Sequence, residues 1–417
     1  MLARAAYRRV LAQIGSFSPA ARQFLAFSLL LSISFAIFNL VFNLYMSALG
    51  FSNEVIGLFN SLPAIALLLV GLPAAAMADR LGYRVFLLGG GGLAVVASLM
   101  LAIVQTPLLA VLAAGTFALA VIVLGVLGSP LLSQLSSQTE RVAVFSLNQS
   151  LAWLATLIGD VVGGVIPEAA ARMIHASSAS AAALRTAFVP TTVLALLSLP
   201  FLLQLVRKAD LKPVAMIPMR QMLKVDLARF GRILLPSLIL GIGAGMYLNF
   251  VQLYLAQRFG LTPGPIGGIL AVGAALTVVV TLGAPAVSRR LGITRTVGLA
   301  QVVGSPLVLA LAFVMVLPVA VIVMYVRQLA LNLQGPLSQV FGMEYVEASQ
   351  RARLATAEAV VSGVGVGGIG PLASGYLQVV GGYQLAFSVS AVFYLLAGLT
   401  FLRLFGKVRL PSETEVR

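Results

Sequence analysis

Apolar runs of about 20 residues, the length an α-helix needs to cross a lipid bilayer, recur along this chain. They fall near 24–46, 54–77, 85–105, 107–133, 144–166, 183–205, 232–255, 264–287, 296–315, 318–341, 354–378 and 383–404 of the 417 residues. Hydrophobic residues make up 60% of the sequence and charged residues 9%, where a soluble domain carries about 25% charged residues. No water-soluble core could hide that much apolar surface. The chain therefore reads as an all-α membrane protein with twelve transmembrane helices. The first run is too long for a signal-peptide core and lacks a small-residue cleavage site, so it is expected to stay as the first span.

Charge sets the orientation. The formal net charge is +15, but the basic residues are scattered singly through short loops, not clustered as a nucleic-acid-binding face would have them. With the N-terminus inside, the outer loops hold only Arg172, Arg185 and Arg258, and only Arg327 lies within a span away from its ends. This asymmetry predicts a multi-pass protein of the plasma (inner) membrane with both termini cytoplasmic. The chain then divides into a cytoplasmic segment 1–23, a six-helix bundle 24–205, a cytoplasmic linker 206–231, a second bundle 232–404 and a tail 405–417. Arg207, Lys208, Lys212, Arg220, Lys224 and Arg229 in the linker suit contact with the anionic inner leaflet.

Several chemistries find no residues. There are no cysteines and a single histidine, His175, so disulfides, thiolate nucleophiles and multi-histidine metal sites are excluded. Neither a cofactor nor an enzymatic activity is expected. The stretch Gly363-Val364-Gly365-Val366-Gly367-Gly368 has dinucleotide-fingerprint spacing but sits in an apolar span, not after a strand. Small residues for helix crossing explain it better.

The two halves repeat one another in order. Tyr45, Gly57 and Arg80-Leu81-Gly82 match Tyr254, Gly267 and Arg290-Leu291-Gly292. Pro130-Leu131-Leu132-Ser133-Gln134 matches Pro336-Leu337-Ser338-Gln339, Arg141 matches Arg351, and Gly159-Asp160…Gly164 matches Gly370-Pro371…Gly375. A shared order indicates a parallel repeat about an axis along the membrane normal.

At the loop between spans two and three the sequence resembles the major facilitator superfamily, whose signature there is G-x-x-x-D-R-x-G-R-R. This chain reads Ala75-Ala76-Met77-Ala78-Asp79-Arg80-Leu81-Gly82-Tyr83-Arg84, with alanine for the leading glycine and Tyr83 for the first paired arginine. The resemblance covers essentially the whole chain. It implies alternating access by rocking of two six-helix halves about a central site lined by spans one, four, seven and ten. It also implies that Asp79 faces the start of span eleven, Arg351-Ala352-Arg353-Leu354. Some members carry a functional arginine in span four, where Ala113 to Gly128 here has no charge.

Asp79 lies at the carboxyl end of span two, where the helix dipole disfavours an anion. It needs a cationic partner, and Arg84 is the nearest. In the second copy the acid is replaced by Arg289, and the matching start of span five reads Glu140-Arg141. Two cytoplasmic latches of opposite polarity are expected, Asp79 with Arg351 or Arg353 and Arg289 with Glu140. The competing reading is charges that only set topology, since exposed ion pairs contribute about 0–1 kcal/mol.

Polar residues inside the spans mark the candidate site. A charge at bilayer depth costs about 2.5–3.5 kcal/mol on insertion scales, so Arg327 is expected either to bind an anionic cargo or to tether neighbouring helices. Helical spacing puts Gln334 on its face and pairs Gln328 with Asn332. Asp160 is a candidate proton carrier, with a fixed pair to Arg327 or a wet vestibule as alternatives. Glu358 is the second candidate proton carrier, although its place near a helix amino end, where an anion is favoured anyway, gives a structural role the lead. Asn39 with Asn43 and Asn249 with Gln252 each share a helix face, either as cargo or gate contacts or as interhelical hydrogen bonds. The sequence thus predicts a monomeric secondary transporter in the lipid bilayer, moving a small amphiphilic organic molecule, with proton-coupled export as the leading reading. Uptake of a small organic anion and movement of a lipid-like amphiphile are the alternatives. A non-transporting receptor or scaffold would need a partner-binding domain, for which no stretch is present.

Overall fold

The computed structural model describes residues 17–66, 82–137, 140–208, 227–347, 350–408 and 410. Every regular element among them is helical. The first half consists of α1 (Pro19–Ala48), α2 (Asn53–Ala66), α3 (Tyr83–Ile103), α4 (Pro107–Leu135), α5 (Arg141–Ile174) and α6 (Phe188–Lys208), with one short helical turn at Ala181–Arg185 before α6. The second consists of α7 (Leu227–Leu248, resuming as Val251–Phe259), α8 (Pro263–Leu291), α9 (Ile293–Phe313) and α10 (Leu317–Tyr345). It continues with α11, which runs from Arg351 through a π-helical turn at Gly365–Ile369, and ends with α12, separated from α11 by non-helical Gly381 and Gly382. Each of the twelve expected runs coincides with helix, the second as far as Ala66. Nine described segments are long and apolar enough by themselves to cross a membrane.

Local chemistry starts these helices. Ser18 caps α1, its Oγ accepting the Ala21 N–H at 3.1 Å with Pro19 in the first turn, which satisfies otherwise orphaned donors. The same hydroxyl donates to the Leu135 carbonyl at 2.7 Å, fastening the start of α1 to the end of α4. Proline also opens α4, α8 and α10.

The internal repeat is written into the backbone. Gly82 before α3 has φ 85° and ψ 146°, and Gly292 before α9 has φ 85° and ψ 151°. This region is essentially closed to residues with a Cβ, and forcing one into it costs about 1–3 kcal/mol. Gly82→Ala and Gly292→Ala are each expected to destabilise the protein by about that amount, read by thermal unfolding in detergent. The tyrosine pair repeats too. Fully buried Tyr45 on α1 meets Phe188 of α6 at 5.3 Å between ring centroids, and fully buried Tyr254 meets Phe387 of α12 at 5.1 Å.

Glycines let backbones approach where helices cross. A Cβ on Gly245 of α7 would meet the Val366 carbonyl of α11, and Gly365 lies against Gly241. The glycine-rich run 363–368 is thus a helix crossing, as expected. The two halves meet at the distal end, the end opposite the start of α1 and the close of α12. Gly57 of α2 rests on Pro371 and Gly375 of α11, and Gly267 of α8 rests on Asp160 and Gly164 of α5. Gly57 and Gly267 are repeat mates, as are Gly375 and Gly164, so the seam has two corners that copy each other.

Candidate functional site

Beneath this seam lies a cavity of about 370 Å³ walled by α1, α4 and α5. It runs from Asn39 and Asp160, next to the distal seam, towards Phe24 and Leu132 near the opposite end. α1 contributes a stripe at helical spacing, Phe24, Ser28, Leu31, Phe35 and Asn39, while α5 contributes Asn148, Ala152, Thr156 and Asp160 at successive turns. The α4 wall is apolar, Val121, Leu124 and Leu132 with Gly125 and Gly128. Within this cavity Ser28 donates to Asn148 Oδ1 at 3.2 Å.

Asp160 is the only acid among the described residues of the wall and is 7% exposed. No described residue hydrogen-bonds to its carboxylate or pairs with it. Its backbone carbonyl lies against Gly267 of the opposite half. One residue therefore presents its side chain to the cavity and its main chain to the seam.

Arg327 is placed differently. It is 4% exposed, with its guanidinium carbon 4.0 Å from the centre of the Tyr247 ring of α7 and Nη1 donating to the Tyr394 hydroxyl of α12 at 3.0 Å. Its Nε is buried without a partner. Arg327 and Asp160 do not pair with one another; each sits in its own half. A desolvated cation over an aromatic face is worth about 2 kcal/mol, so Arg327 joins α7, α10 and α12. Tyr394→Phe leaves a charged donor buried without its acceptor and is expected to cost about 1–3 kcal/mol, measured by thermal unfolding.

The other polar residues of α10 also face neighbouring helices. Gln334 accepts from Gln301 of α9 at 2.9 Å. Gln328 and Asn332, expected as a pair, converge on one acceptor, donating to Thr277 Oγ1 of α8 at 2.9 and 3.1 Å. The amides of α1 divide their roles. Asn39 lines the cavity, whereas Asn43 donates across the seam to the Asn249 carbonyl. Asn249 sits at the break in α7 and donates to the Gly245 and Val366 carbonyls, both at 2.9 Å. Gln252 is buried, with Oε1 lacking a partner. Glu358, the repeat mate of Asn148, is half-buried beside Gly342 of α10.

Of the latch residues, Asp79 and Arg80 lie outside the described residues, as does the side chain of Arg289. Arg84, Arg351 and Arg353 are exposed, and the Glu140 carboxylate accepts the Ser137 N–H at 3.5 Å. Gly82 is the left-handed glycine described above. Ser28, Asn148 and Thr156 were not anticipated as site residues. Their signal was present in the i, i+4 spacing of Ser28 with Ser32 and of Thr156 with Asp160 on otherwise apolar helices.

Two pseudo-symmetric six-helix bundles in a membrane, joined at one end above a partly polar cavity, define a membrane solute carrier. The chain belongs to the major facilitator superfamily, whose family profile it matches over residues 24–367. It is a transporter of a solute, not an enzyme. Solved structures share the fold. A bacterial homologue of the iron transporter ferroportin, in an inward-facing state, has a TM-score of 0.74 at 16% identity, covering 92% of this chain and 98% of that one. The nucleoside transporter NupG has a TM-score of 0.72 at 17% identity, covering 93% and 99%. A bacterial homologue of the human lysosomal transporter Spinster has a TM-score of 0.72 at 13% identity, covering 93% and 97%. No curated protein matches by sequence.

Proposed function

We propose that the protein is a secondary transporter exporting a small amphiphilic organic solute by alternating access, with Asp160 carrying the coupling proton. The carrying observation is the Asp160 carboxylate, buried in a cavity wall without a partner. Such a group titrates against proton and cargo alike, and intramembrane acids without a structural partner mark proton or ion pathways. Phe24, Phe27 and Phe35 offer apolar faces for the body of the cargo, and Asn39 and Thr156 offer hydrogen bonds near the acid. Export is supported by the Gly159-Asp160-Val161-Val162-Gly163-Gly164 stretch of α5, which keeps the glycines of the G-P-x-x-G-G stretch of the family's antiporters and has Asp160 in place of its proline. The same reading keeps Asp79 with Arg351 or Arg353, and Arg289 with Glu140, as contacts of the alternate state, with the termini cytoplasmic.

A second reading, uptake of an organic anion at Arg327, has the unpartnered Arg327 Nε in its favour. The direction of a pH gradient separates the two. In proteoliposomes with an acidic lumen, a proton antiporter accumulates the amphiphile above the level in protein-free vesicles. A proton-coupled anion importer accumulates its cargo only when the lumen is alkaline. No gradient-dependent accumulation across a broad solute panel would overturn the coupling.

A further inference from the structure

We infer that Glu168 is a gating residue that holds the distal side of the transporter closed by capping α8 from the opposite half of the molecule. The repeat makes the case. α2 and α8 begin at matching positions, after Ser52 and Thr262. In the first half the hydroxyl serves its own helix, Ser52 Oγ accepting the Val55 N–H at 3.4 Å. In the second half Thr262 makes no such cap. Its Oγ1 instead donates to Glu168 Oε1 of α5 at 2.5 Å, and the same oxygen accepts the Gly264 N–H at 3.1 Å. The first turn of α8 thus takes its cap from the other bundle.

A carboxylate at a helix amino end is favoured by both the orphan N–H groups and the helix dipole. Gly264 makes the approach possible, because a Cβ there would meet Glu168 Oε1 at 2.6 Å. Among the described residues the other corner of the seam is fastened by neutral groups, with Asn53 Nδ2 donating to Gln378 Oε1 at 2.8 Å and to Gln257 Oε1 at 3.1 Å. Parting the halves leaves α2 capped and strips α8 of its cap. The free energy of the cap therefore belongs to the distal-closed state alone, and removing it shifts the population towards the distal-open state. This role depends on the two-half architecture and not on Asp160 or the cargo.

The absence of native cysteines makes the test direct. Met173→Cys on α5 and Val316→Cys before α10 place spin labels at exposed positions on the two sides of the distal seam, and their distance distribution in liposomes reports both states. Losing a cap of this kind is expected to raise the open-to-closed ratio roughly five- to thirty-fold in Glu168→Ala. Thr262→Val should shift it less, and the double variant no further than Glu168→Ala, since both remove one shared contact. Glu168→Gln, which keeps the acceptor but loses the charge, should fall between wild type and Glu168→Ala. An unchanged ratio in Glu168→Ala, or strictly additive effects of Glu168→Ala and Thr262→Val, overturns the assignment. Should Glu168→Ala fail to fold, an unchanged ratio in both Thr262→Val and Glu168→Gln does the same.

Discussion

Asp160→Asn is expected to abolish solute accumulation driven by a pH gradient while sparing downhill exchange of the same solute. Asparagine matches the shape of the acid and keeps its place in the cavity wall beside Thr156 and Asn39, but it cannot take up and release a proton. A one-unit pH gradient stores about 1.4 kcal/mol per proton, enough for roughly a tenfold solute ratio at one-to-one coupling. The variant should therefore fall from a ratio approaching that value to one near unity, with counterflow retained. Glu358, beside Gly342 of α10, is the other candidate proton carrier. Glu358→Gln should leave the gradient-driven ratio near that of wild type. If Asp160→Asn concentrates solute as wild type does, the coupling proton is carried elsewhere.

Gly267→Leu should give the second large effect, loss of both downhill and gradient-driven flux. Even a Cβ at Gly267 collides with the Asp160 carbonyl and lies 3.2 Å from the Gly164 Cα, so the obstruction is backbone that cannot rotate away. Overpacking a fitted core site typically costs about 1–3 kcal/mol, and here the cost falls on the distal-closed state, the one in which α8 meets α5. The transporter is then held open on that side and cannot complete a cycle. Gly57→Leu, at the matching corner against Pro371 and Gly375, should act the same way. Gly89→Leu is the control, since a Cβ at Gly89 meets nothing within 4 Å, and it should transport normally. Flux through Gly267→Leu at the wild-type rate would show that the seam opens and closes without that contact.

Much of the fold was legible from residue order. Apolar runs of bilayer length leave the backbone no alternative to helix, because each N–H and C=O must be satisfied within its own segment. The repeated Arg-Leu-Gly likewise announced a duplicated turn, and Gly82 and Gly292 adopt almost the same dihedral angles. Asp160 was legible as well, since an acid inside an apolar run is expensive unless it has work to do.

The roles of the span-ten residues were not legible. Arg327, Gln328, Asn332 and Gln334 have the composition of a binding face, yet they engage Tyr394, Thr277 and Gln301 of neighbouring helices. Helical spacing states which residues share a face but not what stands opposite it, and in a bundle a polar face is satisfied equally well by cargo or by another helix.

Residue order was enough for the helical membrane architecture, the duplication, the family and the presence of an acid inside an apolar run, all consequences of local hydropathy and backbone geometry. That Asp160 lines a cavity while Arg327 ties helices together, and that Glu168 of one half caps a helix of the other, came from helix packing. Those outcomes rest on contacts between residues far apart in the chain, 67 positions for Arg327 with Tyr394 and 94 for Glu168 with Thr262. Such distances are set by how the helices pack, which no local periodicity records.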